Sequence, residues 1–264
     1  MTQEMHTTQL PTIKLMGVTL HAITQKQCVD YILDQSESGQ GGWVITPNLD
    51  HLRRLVRDEI TRQLYSGADL MVADGMPLIW ASRLQGTPLP ERVAGSDLTN
   101  TLPAEAARRG RSIYLLGGAD DAAKKASDVL LKRHPNLNIA GIHVPAYGFE
   151  KDPSQMAALE NALLDAKPHI VLVALGSPKQ EVLIKQLREK LPGTWWLGIG
   201  ISFSFVCGDV QRAPRWVQKL GLEWVHRLMQ EPRRLFRRYV IDGIPFGIAL
   251  LTGAIWSRLG RPSA

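Results

Sequence analysis

The chain has 264 residues, 44% hydrophobic and 21% charged, a globular composition long enough to bury a full core. Its two cysteines, Cys28 and Cys207, lie far apart with no metal-ligand spacing, which argues against a disulfide framework or a zinc site and fits a reducing, cytoplasmic setting. The formal charge of +6 is uneven: residues 211–264 hold Lys219 and nine arginines against Glu223, Glu231 and Asp242, a surplus of seven that leaves the body at −1. A near-neutral body with a basic tail points to an anionic partner, whether a membrane surface, phosphates or nucleic acid.

Residues 1–10 are polar, lack a charged-then-apolar leader pattern and read as a loose end. Residues 13–23 read as two short strands meeting at Gly17, after which Thr24 caps a helix to about Ser38. Residues 43–46 are the first strong strand. It breaks at Pro47-Asn48 into a helix with apolar Leu49, Leu52, Leu55, Val56 and Ile60, so Thr46 and Asn48 sit on a strand-to-helix rim. The apolar run from Leu70 ends in Asp74-Gly75-Met76-Pro77, which reads as strand, tight turn and helix. In an open α/β sheet, ligands bind beyond the carboxyl ends of strands, where a carboxylate such as Asp74 can act as a general base. The alternative is that Asp74 only opens a turn or caps the helix starting near Pro77.

A proline-rich loop through Pro88, Pro90 and Arg92 leads to Gly95-Ser96-Asp97, where another helix begins. Residues 112–118 are a buried-type strand ending in Gly117-Gly118 before a helix from Asp120, an arrangement that lets backbone amides approach a phosphate. Residues 138–144 and 169–175 are further strands, separated by a helix from about Pro153 to Ala166. The second ends in Gly176-Ser177-Pro178-Lys179-Gln180-Glu181, with Pro178 placed as a first helical residue. Residues 194–200 are the last clear strand. The alternation predicts a Rossmann-like, mostly parallel sheet with helices on both faces, occupying residues 1–210. Polar loop residues then converge on one edge, as in every such fold, which leaves the reaction open.

From Arg212 the texture changes. Val217, Leu220, Trp224 and Leu228 fall at helical spacing, Pro232 restarts a second helix, and Arg227, Arg234 and Arg237 share one side of a helical path. Residues 244–256 are nearly all apolar, shorter than the roughly 20 residues a bilayer span needs and suited to an interfacial segment. Residues 211–264 therefore read as a basic, amphipathic helical appendage that either associates with a membrane or packs on the body. His51, His134, His143, His169 and His226 form no ligand or triad spacing and read as surface or packing histidines, although His226 stands beside Arg227. Ser177 lacks a Gly-x-Ser-x-Gly context, and Trp195 and Trp196 read as packing residues.

Taken together, Thr46-Pro47-Asn48, Ala73-Asp74-Gly75-Met76-Pro77, Arg92-Val93-Ala94-Gly95-Ser96-Asp97, Gly176-Ser177-Pro178-Lys179-Gln180-Glu181, Arg212-Ala213-Pro214 and the stretch from Gly221-Leu222-Glu223-Trp224 through Glu231-Pro232-Arg233-Arg234 resemble the WecG/TagA/CpsF glycosyltransferases of bacterial cell-surface polysaccharide assembly (glycosyltransferase family 26). Within that family the chain is most similar to the xanthan-type exopolysaccharide branch, whose members add glucose. The resemblance implies inverting transfer from a UDP-sugar to a saccharide on a polyprenyl diphosphate, with no metal or other cofactor, at the inner face of the cell membrane. It implies Asp74 as the base and Thr46, Asn48 and Gln180 as the residues around it. It also implies that Arg227, Arg234 and Arg237 lie on an appendage that closes over the site. Arg92, Gly95 and Pro178 within the motifs, together with Gly117, Gly118, Tyr147 and Ser204, complete the expected substrate-binding set. Two departures stand out: Ser204 replaces an aspartate that in the family contacts the nucleoside, and Tyr147-Gly148-Phe149 replaces a Gly-Tyr-Phe motif.

The chemistry agrees with this implication. An inverting displacement needs a base for the acceptor hydroxyl and positive charge for the departing diphosphate, and arginines supply that charge where no Asp-x-Asp triplet is present. The same reading with a UDP-N-acetylmannosamine-type donor is the nearest alternative. A nucleotide-dependent oxidoreductase lacks its Gly-x-Gly-x-x-Gly after the first strand, since Gly198-Ile199-Gly200 comes late. A nucleic-acid-binding module is disfavoured because the arginines precede a long apolar segment.

Overall fold

The computed structural model describes residues 10–119 and 121–260, without the side chains of Arg215 and Lys219. The loose end expected before Leu10 and the helix start expected at Asp120 lie outside the described residues. Strands β1 (Thr12–Leu15) and β2 (Val18–His21) form an antiparallel hairpin turned by Met16 and Gly17, both at positive φ. Strands β3 (Gly42–Ile45), β4 (Leu70–Met71), β5 (Ser112–Gly117), β6 (Asn138–His143), β7 (Ile170–Ala174) and β8 (Trp195–Gly198) form one six-stranded sheet, every pair parallel, in the order β4-β3-β8-β7-β5-β6.

Alternation along the strands sorts their side chains to two faces, each of which needs a cover. Ile113, Leu115, Ile170, Leu172, Trp195 and Leu197 pack with helices Gln25–Glu37, Gly95–Arg108 and Ala122–Arg133. Tyr114, Leu116, Val171, Val173, Trp43 and Trp196 pack on the other face with helices Pro153–Ala166 and Lys179–Leu187. Both tryptophans of β8 are core residues, as expected. The chain leaves β5 toward the β6 edge and β7 toward β8, so the connections diverge at the β5–β7 boundary. A crevice opens at such a point, beyond the carboxyl ends.

Three boundaries differ from the sequence reading. The helix expected over residues 49–60 is two helices, Leu49–Arg57 and Glu59–Tyr65, because Asp58 ends the first and caps the second by accepting from the Ile60 and Thr61 amides. Ile60 is consequently exposed. The appendage restarts at Pro232 as expected but also breaks at Gly221 (φ +71), giving helices Arg215–Lys219, Glu223–Gln230 and Pro232–Phe236. Beyond Pro232, the helix continues through a wider-wound stretch, Arg237–Gly243, into Ile244–Leu259. The apolar segment is thus part of one 28-residue helical run, Pro232–Leu259, long and apolar enough to cross a membrane by length and composition alone.

That run packs against the body along one stripe. Phe246, Leu250 and Ala254 join Leu15, Leu20, Leu52, Leu78 and Ile79 in a third apolar cluster. Pulling Phe246 and Leu250 out of it would forfeit about 1.5–3 kcal/mol per side chain, which disfavours a spanning position. Ile241, Ile244, Ile248, Ile255 and Leu259 form the opposite stripe and are exposed.

Candidate active site

Backbone hydrogen bonds gather the loops beyond β3 and β4 and the Arg92 loop around Asp74. The Asp74 amide donates to Pro47 O at 2.8 Å, which seats it beside the Thr46-Pro47-Asn48 turn. The Val93 amide donates to Ala73 O at 2.9 Å, bringing in the Arg92 loop. Gly75 adopts φ +136, and a Cβ there would stand 3.9 Å from Asn48 Cβ, so the turn after Asp74 lies against Asn48. Gly95 begins its helix with no side-chain cap, 3.2 Å by its Cβ position from Thr46 Oγ1 and 3.7 Å from Gly198 O. The amide-bearing end of a 14-residue helix therefore meets the crevice between β3 and β8.

Asn48 and Gln180 form opposite walls. Asn48 Oδ1 accepts from the Asp50 and His51 amides, both at 3.1 Å, and the Asn48 amide donates to His51 Nδ1 at 3.4 Å, a reciprocal cap on helix Leu49–Arg57. The cap occupies the Asn48 oxygen and leaves its amide nitrogen for another partner. Gln180 is buried, accepts from the Gly200 amide at 3.1 Å and donates to Glu181 Oε1 at 2.8 Å. A Cβ on Gly198 would lie 2.5 Å from Gln180 Nε2, so that glycine makes room for the Gln180 side chain.

The Asp74 carboxylate is half-buried and accepts no hydrogen bond from the described residues. Burial pushes its pKa from 3.8 to about 6; Arg92 pulls it down, Glu223 and Asp97 push it up, and Arg212 pulls it down. Those four charges form a closed cage. Arg92 donates to Glu223 Oε2 at 2.9 Å and Asp97 Oδ2 at 3.0 Å, while Arg212 donates to Glu223 Oε1 at 3.0 Å and to Asp97. Each guanidinium bridges the same two carboxylates, clamping the start of the appendage to the body next to Asp74. Arg92, Asp97 and Arg212 of the cage line a cleft of about 730 Å³, shared with Gln25, Asn100 and Gln218.

Farther along the rim, Gly117 and Gly118 have φ +85 and +96, and a Cβ on Gly117 would stand 2.8 Å from Ala174 O. Only glycine fits at Gly117, so the backbone stays open at the divergence of β5 and β7. Ser204 is buried on the short helix Ser202–Cys207, whose Phe203 ring lies 3.3 Å from the Gly118 Cβ position. Pro178 is exposed and caps helix Lys179–Leu187, which begins one residue after the expected start. Tyr147 is fully exposed, with Lys179 Nζ 4.9 Å from its ring, and stands at the outer edge. Arg227 lies over the Phe205 ring at 5.8 Å, beside Ser204. Glu231 pairs with both Arg227 at 4.0 Å and Arg234 at 2.5 Å across the helix break, whereas Arg237 is exposed. The three arginines therefore do not lie on one continuous helical face.

Thr46, Asn48, Asp74, Gly95 and Gln180 thus surround one crevice, with Arg92 beside it and Gly117 and Gly118 farther along the same rim. Residues 13–260 match the family described as Glycosyl transferase WecG/TagA/CpsF family. The chain belongs to that family. This glycosyltransferase carries two features that residue patterns left unassigned. Asp97, Arg212 and Glu223 stand inside the quoted motifs but acquire a role only when residues 131 apart, Arg92 and Glu223, meet. His51, read as a surface or packing histidine, is the capping partner of Asn48, and burial pushes its pKa down to about 3. Its position three residues after Asn48, where capping boxes carry a reciprocating side chain, is the signal that would have found it.

Proposed function

We propose that this glycosyltransferase moves a sugar, glucose by its similarity to the xanthan-type branch, from a UDP-sugar to a saccharide carried on a polyprenyl diphosphate, with inversion, in exopolysaccharide or cell-surface polysaccharide assembly. The observation that carries the reading is Asp74: a carboxylate on the rim, without a hydrogen-bond donor among the described residues, with a pKa near 6. It is ionised at neutral pH yet more basic than an ordinary carboxylate, the tuning a general base needs.

In the proposed step Asp74 takes the proton of the acceptor hydroxyl as the hydroxyl oxygen bonds to the anomeric carbon. The carbon–oxygen bond to the diphosphate breaks on the opposite side, and its electron pair leaves with UDP. The donor lies along the rim with its nucleoside toward Gly117 and Gly118; β5 and β4 are four strand spacings apart, about 19 Å. The Gly95 helix end and Arg227, Arg234 and Arg237 stabilise the leaving charge.

The enzyme works on the inner face of the cell membrane, docked through its exposed isoleucine stripe with the surrounding arginines on anionic headgroups. A panel of labelled UDP-sugars that includes UDP-glucose and UDP-N-acetylmannosamine, offered with short-chain polyprenyl diphosphate-linked acceptors, tests the reading. Transfer from one donor supports it, and no transfer from any UDP-sugar overturns it.

A further inference from the structure

Below the crevice floor, between β3 and β8, lies a cavity of about 10 Å³ lined by Thr46, His51, Gln180, Glu181 and Gly198 together with apolar β3 residues. That volume holds about one water molecule, provided the walls offer polar partners. Two buried atoms from residues lining it have no hydrogen-bond partner among the described residues: His51 Nε2 and Glu181 Oε2. Their other polar atoms are engaged. His51 Nδ1 accepts from the Asn48 amide, which puts the ring proton on Nε2 of the neutral imidazole. Glu181 is buried at 3% exposure, and its Oε1 accepts from Gln180 Nε2. The neighbouring Ser177 hydroxyl accepts from Arg54 Nη2 at 3.0 Å and lies 3.3 Å from Tyr65 Oη.

A buried donor and a buried acceptor left unpaired would be costly, and they flank one small cavity. We propose that one buried water accepts from His51 Nε2–H and donates to Glu181 Oε2, making His51 and Glu181 a single positioning unit for Asn48 and Gln180. The chain then runs from the Asn48 cap through His51, the water, Glu181 and Gln180 to the Gly200 amide. It joins the loops after β3, β7 and β8 beneath the reacting centre. Neither residue touches substrate; both set the distance between the walls that do, whichever sugar is transferred.

Two measurements test this without any substrate. In long-range proton–nitrogen spectra of histidine-labelled full-length protein, His51, assigned through its edge contact with the Tyr65 ring at 6.2 Å, is expected neutral at pH 5.5 with a slowly exchanging Nε2 proton. An Nδ1–H tautomer, or titration near 6.5, overturns the proposal. In amide hydrogen exchange, Glu181→Ala is expected to speed exchange at Asp50 and His51 about fivefold or more, and His51→Phe to do the same at Gly200. Effects confined to the substituted side overturn the coupling. If neither variant folds, the tautomer in the unaltered chain decides.

Discussion

Replacing Asp74 by asparagine is expected to stabilise the folded protein at neutral pH. Burial raises the carboxyl pKa from 3.8 to about 6, so the folded state favours the protonated form. The cost of ionised Asp74 is therefore absent below pH 3.8, grows as pH rises, and is complete above pH 6. At 1.36 kcal/mol for each tenfold change in proton affinity, the ceiling is about 3 kcal/mol, and the half-open position of the carboxyl reduces this to about 1–2 kcal/mol. Asparagine reproduces the shape of the neutral acid and removes the cost. Urea or thermal unfolding at pH 7.5 should show Asp74→Asn raising Tm by roughly 2–8 °C, with the difference vanishing near pH 4. A variant less stable than the parent at pH 7.5, or a difference equal at both pH values, would refute the argument and return Asp74 to a structural turn role.

With Asp74 as the proposed base, the cage around it is expected to set the acid limb of activity. Removing the Glu223 charge, which pushes Asp74 up, should move that limb to lower pH in Glu223→Gln, whereas Arg92→Gln should move it up; a pH–rate profile checks both signs. Gly117→Ala forces a side chain into positive φ and within 2.8 Å of Ala174 O, so it should cost about 1–3 kcal/mol in chemical denaturation. On the last helix the two stripes should separate cleanly. Ile248→Glu should abolish co-sedimentation with anionic vesicles while shifting stability by less than about 0.5 kcal/mol, and Phe246→Ala should cost about 3–5 kcal/mol of stability.

The sheet was legible because its strands are short apolar runs ended by Gly, Pro or Asn, and helix Pro153–Ala166 fell where its proline and apolar spacing put it. The same punctuation marked the rim: Thr46, Asn48, Asp74 and Gln180 all follow a strand end, and the fold brings them to one crevice. Breaks inside apparently periodic stretches were harder to read. Asp58 keeps the helical spacing of its neighbours while its side chain caps a new helix, and Gly221 breaks the stretch in which Val217, Leu220, Trp224 and Leu228 keep helical spacing. Charge pairing across long separations left no local trace. The Arg92–Asp97–Arg212–Glu223 cage depends on residues 97 and 212 meeting in space, and the His51–Glu181 pair joins two helices that lie far apart in the chain. The last helix was ambiguous for a different reason, since its apolar residues are divided between a stripe that completes the core and one that faces outward, and composition does not distinguish them.

The central claim is that Asp74 removes the acceptor proton. Its most direct test is transfer from the accepted UDP-sugar to the lipid-linked acceptor in EDTA, comparing the native chain with Asp74→Asn at saturating substrate. The account predicts metal-free turnover by the native chain and a loss of about 10²–10⁴-fold in kcat for the variant, with donor binding retained. Turnover within a few-fold of native in Asp74→Asn would contradict it and place the base elsewhere on the rim.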